Sequence, residues 1–215
     1  MIFRRLVARF LRIFFRLLYQ PFAWSYDFVA AVVSLGQWQD WVMSVLPYLT
    51  GERVLELGYG PGHLQAALCS RGAAAFGVDA SPNMAALTQR RLRRSRFTPR
   101  IINGLAQHLP FPENTFHQVV ATFPPEFIFA EDTFREALRV LIPQGELIVL
   151  PNAWITGQRA HEKIAARLFD ITGQSPPWDQ HFLRYFSNAG FEIRVEESTG
   201  PGWKLLIIRA RKPAA

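Results

Sequence analysis

The chain has 215 residues, 49% of them apolar, and a formal net charge of +7. That length suits one domain with a sizeable core, and the composition excludes an intrinsically disordered chain. One cysteine, Cys69, excludes an internal disulfide and any multi-cysteine metal site, and fits a reducing, cytoplasmic setting. No run of about 18 uncharged apolar residues occurs, which argues against a membrane-spanning helix.

Residues 1–20 carry Arg4, Arg5, Arg9, Arg12 and Arg16 and no acidic residue. The arginines recur mostly at three- and four-residue steps and line one helical face. Phe3, Leu6, Val7, Phe10, Phe14, Leu17 and Leu18 line the other. Arginines run through the stretch where a secretory signal needs an unbroken apolar core. Two readings stand. The helix packs its apolar face on the domain or on a partner, or it lies on an anionic membrane surface as a peripheral anchor. Pro21 ends the pattern. A helix-compatible stretch then spans about 28–35, with Gly36 as its stop. A second spans 37–46, where Trp38, Trp41, Val42 and Leu46 fall at helical spacing and read as core.

Val54–Leu57 is a short apolar run, the pattern of a buried parallel strand. Gly58, Gly60 and Gly62 follow at alternate positions, and a helix is expected from there to about Arg71, with Gly72 as its stop. Strand, glycine turn and helix together bring backbone N–H groups up to a ligand. Residues 75–79 form a second expected strand ending on Asp79. Ser81-Pro82 then supplies an N-cap and a first-turn proline. The helix begun there ends in Arg90, Arg91, Arg93, Arg94 and Arg96, a solvated and dipole-compatible terminus or an anion-facing surface. Further strands are expected over 100–103, 117–122 and 146–150, with a helix over 132–141. Strands alternating with helices predict a doubly wound, mostly parallel sheet. Ligands sit at the carboxyl ends of such strands.

The glycine spacing selects among ligands. A dinucleotide fingerprint needs its third glycine where His63 stands, and a P-loop needs a Gly-Lys-Ser/Thr ending that is absent. A carboxylate at Asp79 suits ribose hydroxyls. The histidines show no metal-ligand spacing, so no metal site is expected. The arginines lie on predicted helices rather than among stacking aromatics, so no nucleic-acid partner is expected.

With these residues in place, the chain resembles the class I S-adenosylmethionine-dependent methyltransferases, in particular the type 11 group of ubiquinone and menaquinone methyltransferases. Four stretches carry the resemblance in order: Val-Leu-Glu-Leu-Gly-Tyr-Gly-Pro-Gly (54–62), Gly-Val-Asp-Ala-Ser (77–81), Gly-Leu-Ala-Gln-His-Leu-Pro-Phe (104–111) and Arg-Val-Leu-Ile-Pro-Gln-Gly-Glu-Leu (139–147). It implies a Rossmann-like seven-stranded sheet whose last strand is antiparallel, with final strands over 191–195 and 203–209. It implies helices at 1–50 that cap the site, and a methyltransferase domain at 51–215, as one structural unit. The implied cofactor is S-adenosylmethionine. Gly58, Tyr59 and Gly60 would lie against its methionine part, with Glu56 orienting the loop or meeting the amino group. Asp79 would hold the ribose. Ala80, Leu105 and Ala106 would lie beside the adenine. Thr122 and Phe123 would lie under the methionine and sulfonium. Tyr26 resembles an aromatic that caps such sites.

Three residues depart from the family pattern. Leu105 stands where an aspartate often accepts from the adenine amine, His117 where aspartate commonly opens a strand, and Gln144 where a glycine is usual. Phe123-Pro-Pro-Glu-Phe127 reads as a hydrophobic wall. The catalytic residues are left open: Glu126, His161 and His181 are candidate bases, needed only if the acceptor must lose a proton. Residues 151–180 hold Trp154, Ile155, Phe169, Ile171 and Trp178 and read as a substrate lid. The implied acceptor is a small apolar or lipid-like molecule, taken from a membrane surface in one version. The rival reading is a non-catalytic module of the same fold that binds a membrane or protein partner. The oligomeric state is open.

Overall fold

The computed structural model describes residues 34–157 and 180–214. Its centre is a seven-stranded sheet in the order β3-β2-β1-β4-β5-β7-β6. The strands are β1 (Arg53–Leu57), β2 (Ala74–Asp79), β3 (Ile101–Asn103), β4 (Phe116–Thr122), β5 (Leu141–Ile155), β6 (Glu192–Gly200) and β7 (Trp203–Arg211). Pairings from β3 across to β5 are parallel, and β7 runs antiparallel to both β5 and β6. This is the Rossmann-like, mostly parallel sheet with an antiparallel last strand that the resemblance implies. The helices are α1 (Trp38–Met43), α2 (His63–Ser70), α3 (Pro82–Arg94), α4 (Glu131–Val140) and α5 (Gln180–Asn188). Among the described residues no helix is long and apolar enough to cross a membrane.

The strands read as continuous apolar runs because both faces of the sheet are covered. Leu55, Leu57, Val119, Ala121, Leu147 and Val149 point to one face and meet Phe134 and Ala137 of α4 and Phe182 and Phe186 of α5. Val54, Val120, Ile148 and Leu150 point to the other and meet Trp41 of α1 and Leu64 and Leu68 of α2. The alternation follows from the two-residue period of a strand. Glu56 shares the parity of Val54 and is carried to the α2 face, where it is buried.

Several boundaries differ from the sequence expectation. The helix expected over 37–46 stops at Met43 and gives way to a 3-10 turn, Leu46–Tyr48. Pro47 lies in that turn and cannot continue an α-helical ladder. β5 begins at Leu141, ahead of the Pro143-Gln144-Gly145 turn, and runs on to Ile155. Its pairing with β7 slips between Val149 and Asn152, where Pro151 has no N–H for the ladder. Trp154 and Ile155, expected in a lid, instead pair with Lys204 and Trp203 of β7. β6 and β7 also extend past their expected ends. Gln144 takes the positive φ of 66° that a glycine would adopt freely, and its N–H donates to the Lys212 carbonyl at 3.1 Å. His117 Nδ1 accepts from the Arg53 N–H at 3.3 Å.

Candidate functional site

Chain order reverses between β1 and β4: β2 and β3 lie on one side of β1, and β4 and β5 on the other. That switch point opens a crevice at the carboxyl ends of the strands. A cavity of about 330 Å³ occupies it. Glu56, Gly58, Tyr59, Gly60, Asp79, Ala80, Leu105, Ala106, Thr122 and Phe123 all line it. Tyr26, the remaining sequence-derived site residue, lies outside the described residues.

The glycine loop is built by close contacts. Gly58, at φ +72°, donates to the Val78 carbonyl at 2.7 Å and so stays against β2. A side chain there would come within 3.3 Å of the Phe127 ring. Gly62, at φ +80°, leads directly into α2, whose N-terminal N–H groups have no intrahelical partner.

Two carboxylates line the cavity. The Asp79 carboxylate accepts from the N–H of Gly60 at 2.9 Å and of Ser81 at 2.8 Å. Burial raises its pKa, and those two bonds oppose the rise. Glu56 accepts from Gln65 Nε2 at 2.8 Å, and the same amide nitrogen also donates to the Phe76 carbonyl at 3.0 Å. Burial pushes the Glu56 pKa up to about 8, with the charge of Asp79 adding to the rise and the Gln65 bond opposing it.

Apolar side chains line the same cavity: Trp38, Val42, Phe123, Pro125 and Phe127. The Trp38 and Phe123 rings lie 4.4 Å apart, tilted by 32°. Phe123 takes a left-handed φ of 46°, while its N–H donates to the Leu150 carbonyl at 2.7 Å. The strained residue at the end of β4 thus aims its ring back over the cavity, toward α1. Trp38 and Val42 read as core in the sequence; Trp41 is core, but Trp38 and Val42 also form this wall. No local signal distinguishes Trp38 from Trp41, because the choice depends on where Phe123 turns.

The turn from Gly104 to Phe111 contributes further lining. Gly104 donates to the Asp79 carbonyl at 3.0 Å, and His108 closes a turn onto the Leu105 carbonyl at 3.1 Å. Leu109 donates to Glu136 Oε2 at 2.7 Å, and Arg139 donates to the carbonyls of Leu109 and Phe111 at 3.0 and 2.8 Å. α4 therefore grips the turn from behind. Gln107 and His63 also line the cavity and were not among the site residues read from the sequence.

Of the candidate bases, Glu126 is exposed and does not line the cavity. His161 and the side chain of His181 lie outside the described residues.

The arrangement offers carboxylates, glycine-loop amides and a flat apolar wall around one space. It suits a ligand with a hydroxylated or cationic part and an aromatic part. Comparison with known proteins agrees. A sequence model of the family described as "Methyltransferase domain" matches residues 55–149. The chain is 32% identical over 139 residues to a demethylmenaquinone methyltransferase of Tropheryma whipplei, covering 62% of this chain and 57% of that one. It is 28% identical over 174 residues to a ubiquinone/menaquinone biosynthesis C-methyltransferase of Cereibacter sphaeroides, covering 75% and 69%. The chain thus spans less than two thirds of the first relative's length. In fold it is similar to the geranyl diphosphate C-methyltransferase of Streptomyces coelicolor A3(2), solved with S-adenosyl-L-homocysteine, at a TM-score of 0.61 and 15% identity over 79% of this chain and 77% of that one. Residues 55–149 thus belong to the methyltransferase domain family, and the chain around them, with its sheet order, glycine loop and strand-end aspartate, is similar to the ubiquinone and menaquinone methyltransferases.

Proposed function

We propose that this protein transfers the methyl group of S-adenosylmethionine to a small apolar acceptor. The observation that carries the proposal is a single cavity lined both by Asp79, Glu56 and the Gly58–Gly60 loop and by the aromatic rings of Trp38, Phe123 and Phe127.

The residues fit the cofactor. Gly58 and Gly60 have no side chains, so the methionine part approaches their backbone closely. The Asp79 carboxylate accepts from ribose hydroxyls. Ala80, Leu105 and Ala106 flank the adenine. Thr122 and Phe123 lie beneath the methionine, and Tyr59 and Glu56 support the loop. Tyr26 is assigned the cap by resemblance. When bound, the cofactor supplies an electrophilic methyl group on its sulfonium. The protein aligns an acceptor atom with that methyl and keeps water out, which is the task of the Trp38–Phe123 wall. We take residues 1–50 as a helical cap on the same structural unit as residues 51–215. The lining of the cavity by Trp38 and Val42 supports this.

The names of the relatives put quinone-type acceptors first among apolar candidates. We also place the protein in the cytoplasm, with residues 1–20 holding it to anionic membranes; the arginine face of that segment supports this. Methyl-labelled S-adenosylmethionine incubated with a panel of demethylated prenylquinones of increasing tail length tests the activity. Label in an extracted quinone is expected. Cofactor binding without transfer to any apolar acceptor overturns the acceptor class, and no binding of the cofactor or its demethylated product favours the non-catalytic module. Flotation with anionic vesicles, with and without residues 1–20, tests the anchor, and equal failure of both forms removes it.

A further inference from the structure

We infer that the side-chain amide of Gln107 reads the adenine amine of the bound cofactor, in place of the aspartate that this chain lacks at position 105. The inference rests on the cofactor reading above and assigns one residue within it.

Three observations converge. Leu105 has no hydrogen-bonding atom in its side chain and is 54% exposed at the cavity. An adenine amine lying beside it gains nothing from that position. Two residues on, Gln107 also lines the cavity, and its Oε1 is buried without a hydrogen-bond partner. Buried polar atoms in folded proteins are nearly always paired, and an orphan calls for a cause. With the side-chain amide turned toward the cavity, a ligand N–H donor there removes the cost of the orphan carbonyl. The exocyclic amine of adenine is such a donor.

The turn holds Gln107 in place for this task. Residues 105–108 form one tight turn, closed by the His108 N–H on the Leu105 carbonyl. Ala106 and Leu109 on either side are buried at 8% and 5% exposure, which pins the backbone around Gln107. The Glu136 and Arg139 bonds to Leu109 and Phe111 fix the rest of the turn. A glutamine side chain is one methylene longer than an aspartate, which offsets its later position in the turn. Its amide also carries a donor beside the acceptor, so it can meet a ring nitrogen and the amine together, as glutamine does with adenine elsewhere.

The test is calorimetric binding of S-adenosylhomocysteine and of its 6-deamino analogue, in which hydrogen replaces the adenine amine. The wild type is expected to bind the analogue about tenfold more weakly, the scale of one buried hydrogen bond. Gln107→Ala is expected to lose about the same factor for S-adenosylhomocysteine and to bind both ligands alike. Adding Leu105→Asp to Gln107→Ala restores a carboxylate acceptor and is expected to restore the preference, which also separates lost recognition from lost folding. Equal preference in the wild type and Gln107→Ala overturns the assignment. A wild type that binds neither ligand overturns the cofactor reading itself, and the assignment with it.

Discussion

Thr88 Oγ1 donates to the Gly60 carbonyl at 2.7 Å, across 28 residues of sequence, and the same side chain fills the space a Cβ on Gly62 would need. One buried threonine on α3 thus shapes two positions of the glycine loop. A Cβ on Gly62 would stand 2.5 Å from Thr88 Cγ2 and 2.6 Å from its Oγ1. Arg91, one turn further along α3, donates to the Pro61 carbonyl between them. Gly62→Ala is therefore expected to destabilise the protein by about 2 kcal/mol or more, from a clash added to a left-handed φ. Thr88→Val keeps the shape, removes the bond and should cost about 1 kcal/mol. Urea denaturation of both variants checks the order, and Gly62→Ala as mild as Thr88→Val would contradict it.

Stability should fall with rising pH because of Glu56. Its folded pKa of about 8 lies above the ordinary value of 4.5. Between those values the native state holds more protons than the unfolded chain, so unfolding becomes easier as pH rises through the window. Asp79 is shifted in the same direction and adds to the slope. Glu56→Gln removes one ionisation while keeping an acceptor for Gln65 Nε2. Melting temperatures from pH 5 to 8 should decline more in the wild type than in this variant. Parallel curves would rule out Glu56 as the source.

At Phe123 the usual order of alanine and glycine should invert. Alanine normally stabilises relative to glycine by restricting the unfolded chain. Here φ is +46°, where a Cβ costs about 1 kcal/mol. Both substitutions lose the Trp38 contact, so their difference isolates the backbone. Phe123→Gly is expected to be more stable than Phe123→Ala by roughly 0.5–1 kcal/mol, the Cβ penalty less the unfolded-chain effect. Chemical denaturation measures this, and an alanine variant that is the more stable would refute the strain.

Glu136 should affect ligand binding without lining the cavity. Its Oε2 accepts from Leu109, and it pairs with Arg139, whose hydrogen bonds hold its pKa below the usual carboxylate range. Glu136→Ala leaves the Leu109 N–H unpaired and is expected to cost about 1–3 kcal/mol of stability. It should also weaken S-adenosylhomocysteine binding several-fold by loosening the turn that carries Leu105 to Gln107. Unchanged affinity in a folded variant would separate the turn from the site.

Much of the site was legible in the sequence because it is built from local backbone demands. Gly58, Gly60 and Gly62 announce a turn, and Ser81-Pro82 announces a helix start that the structure places with Ser81 capping Met84. Asp79 at a strand end and the Gly104–Phe111 stretch announce further parts of the cavity lining. Trp38 and Gln107 were not legible. Their roles arise from contacts across the chain, with Phe123 for the one and with an orphaned carbonyl in a shared cavity for the other.

By itself the sequence determined the order of strands and helices, the family resemblance and the carboxylates that line the cavity. Period-two and helical patterning and turn chemistry act over a few residues and leave a local trace. The tertiary structure alone decided that β5 runs through Pro151 to pair Trp154 and Ile155 with β7. It alone decided that Thr88 clamps the glycine loop and that Trp38 faces the cavity while Trp41 is core. These are choices among sterically similar options, settled by which distant group fills the remaining space.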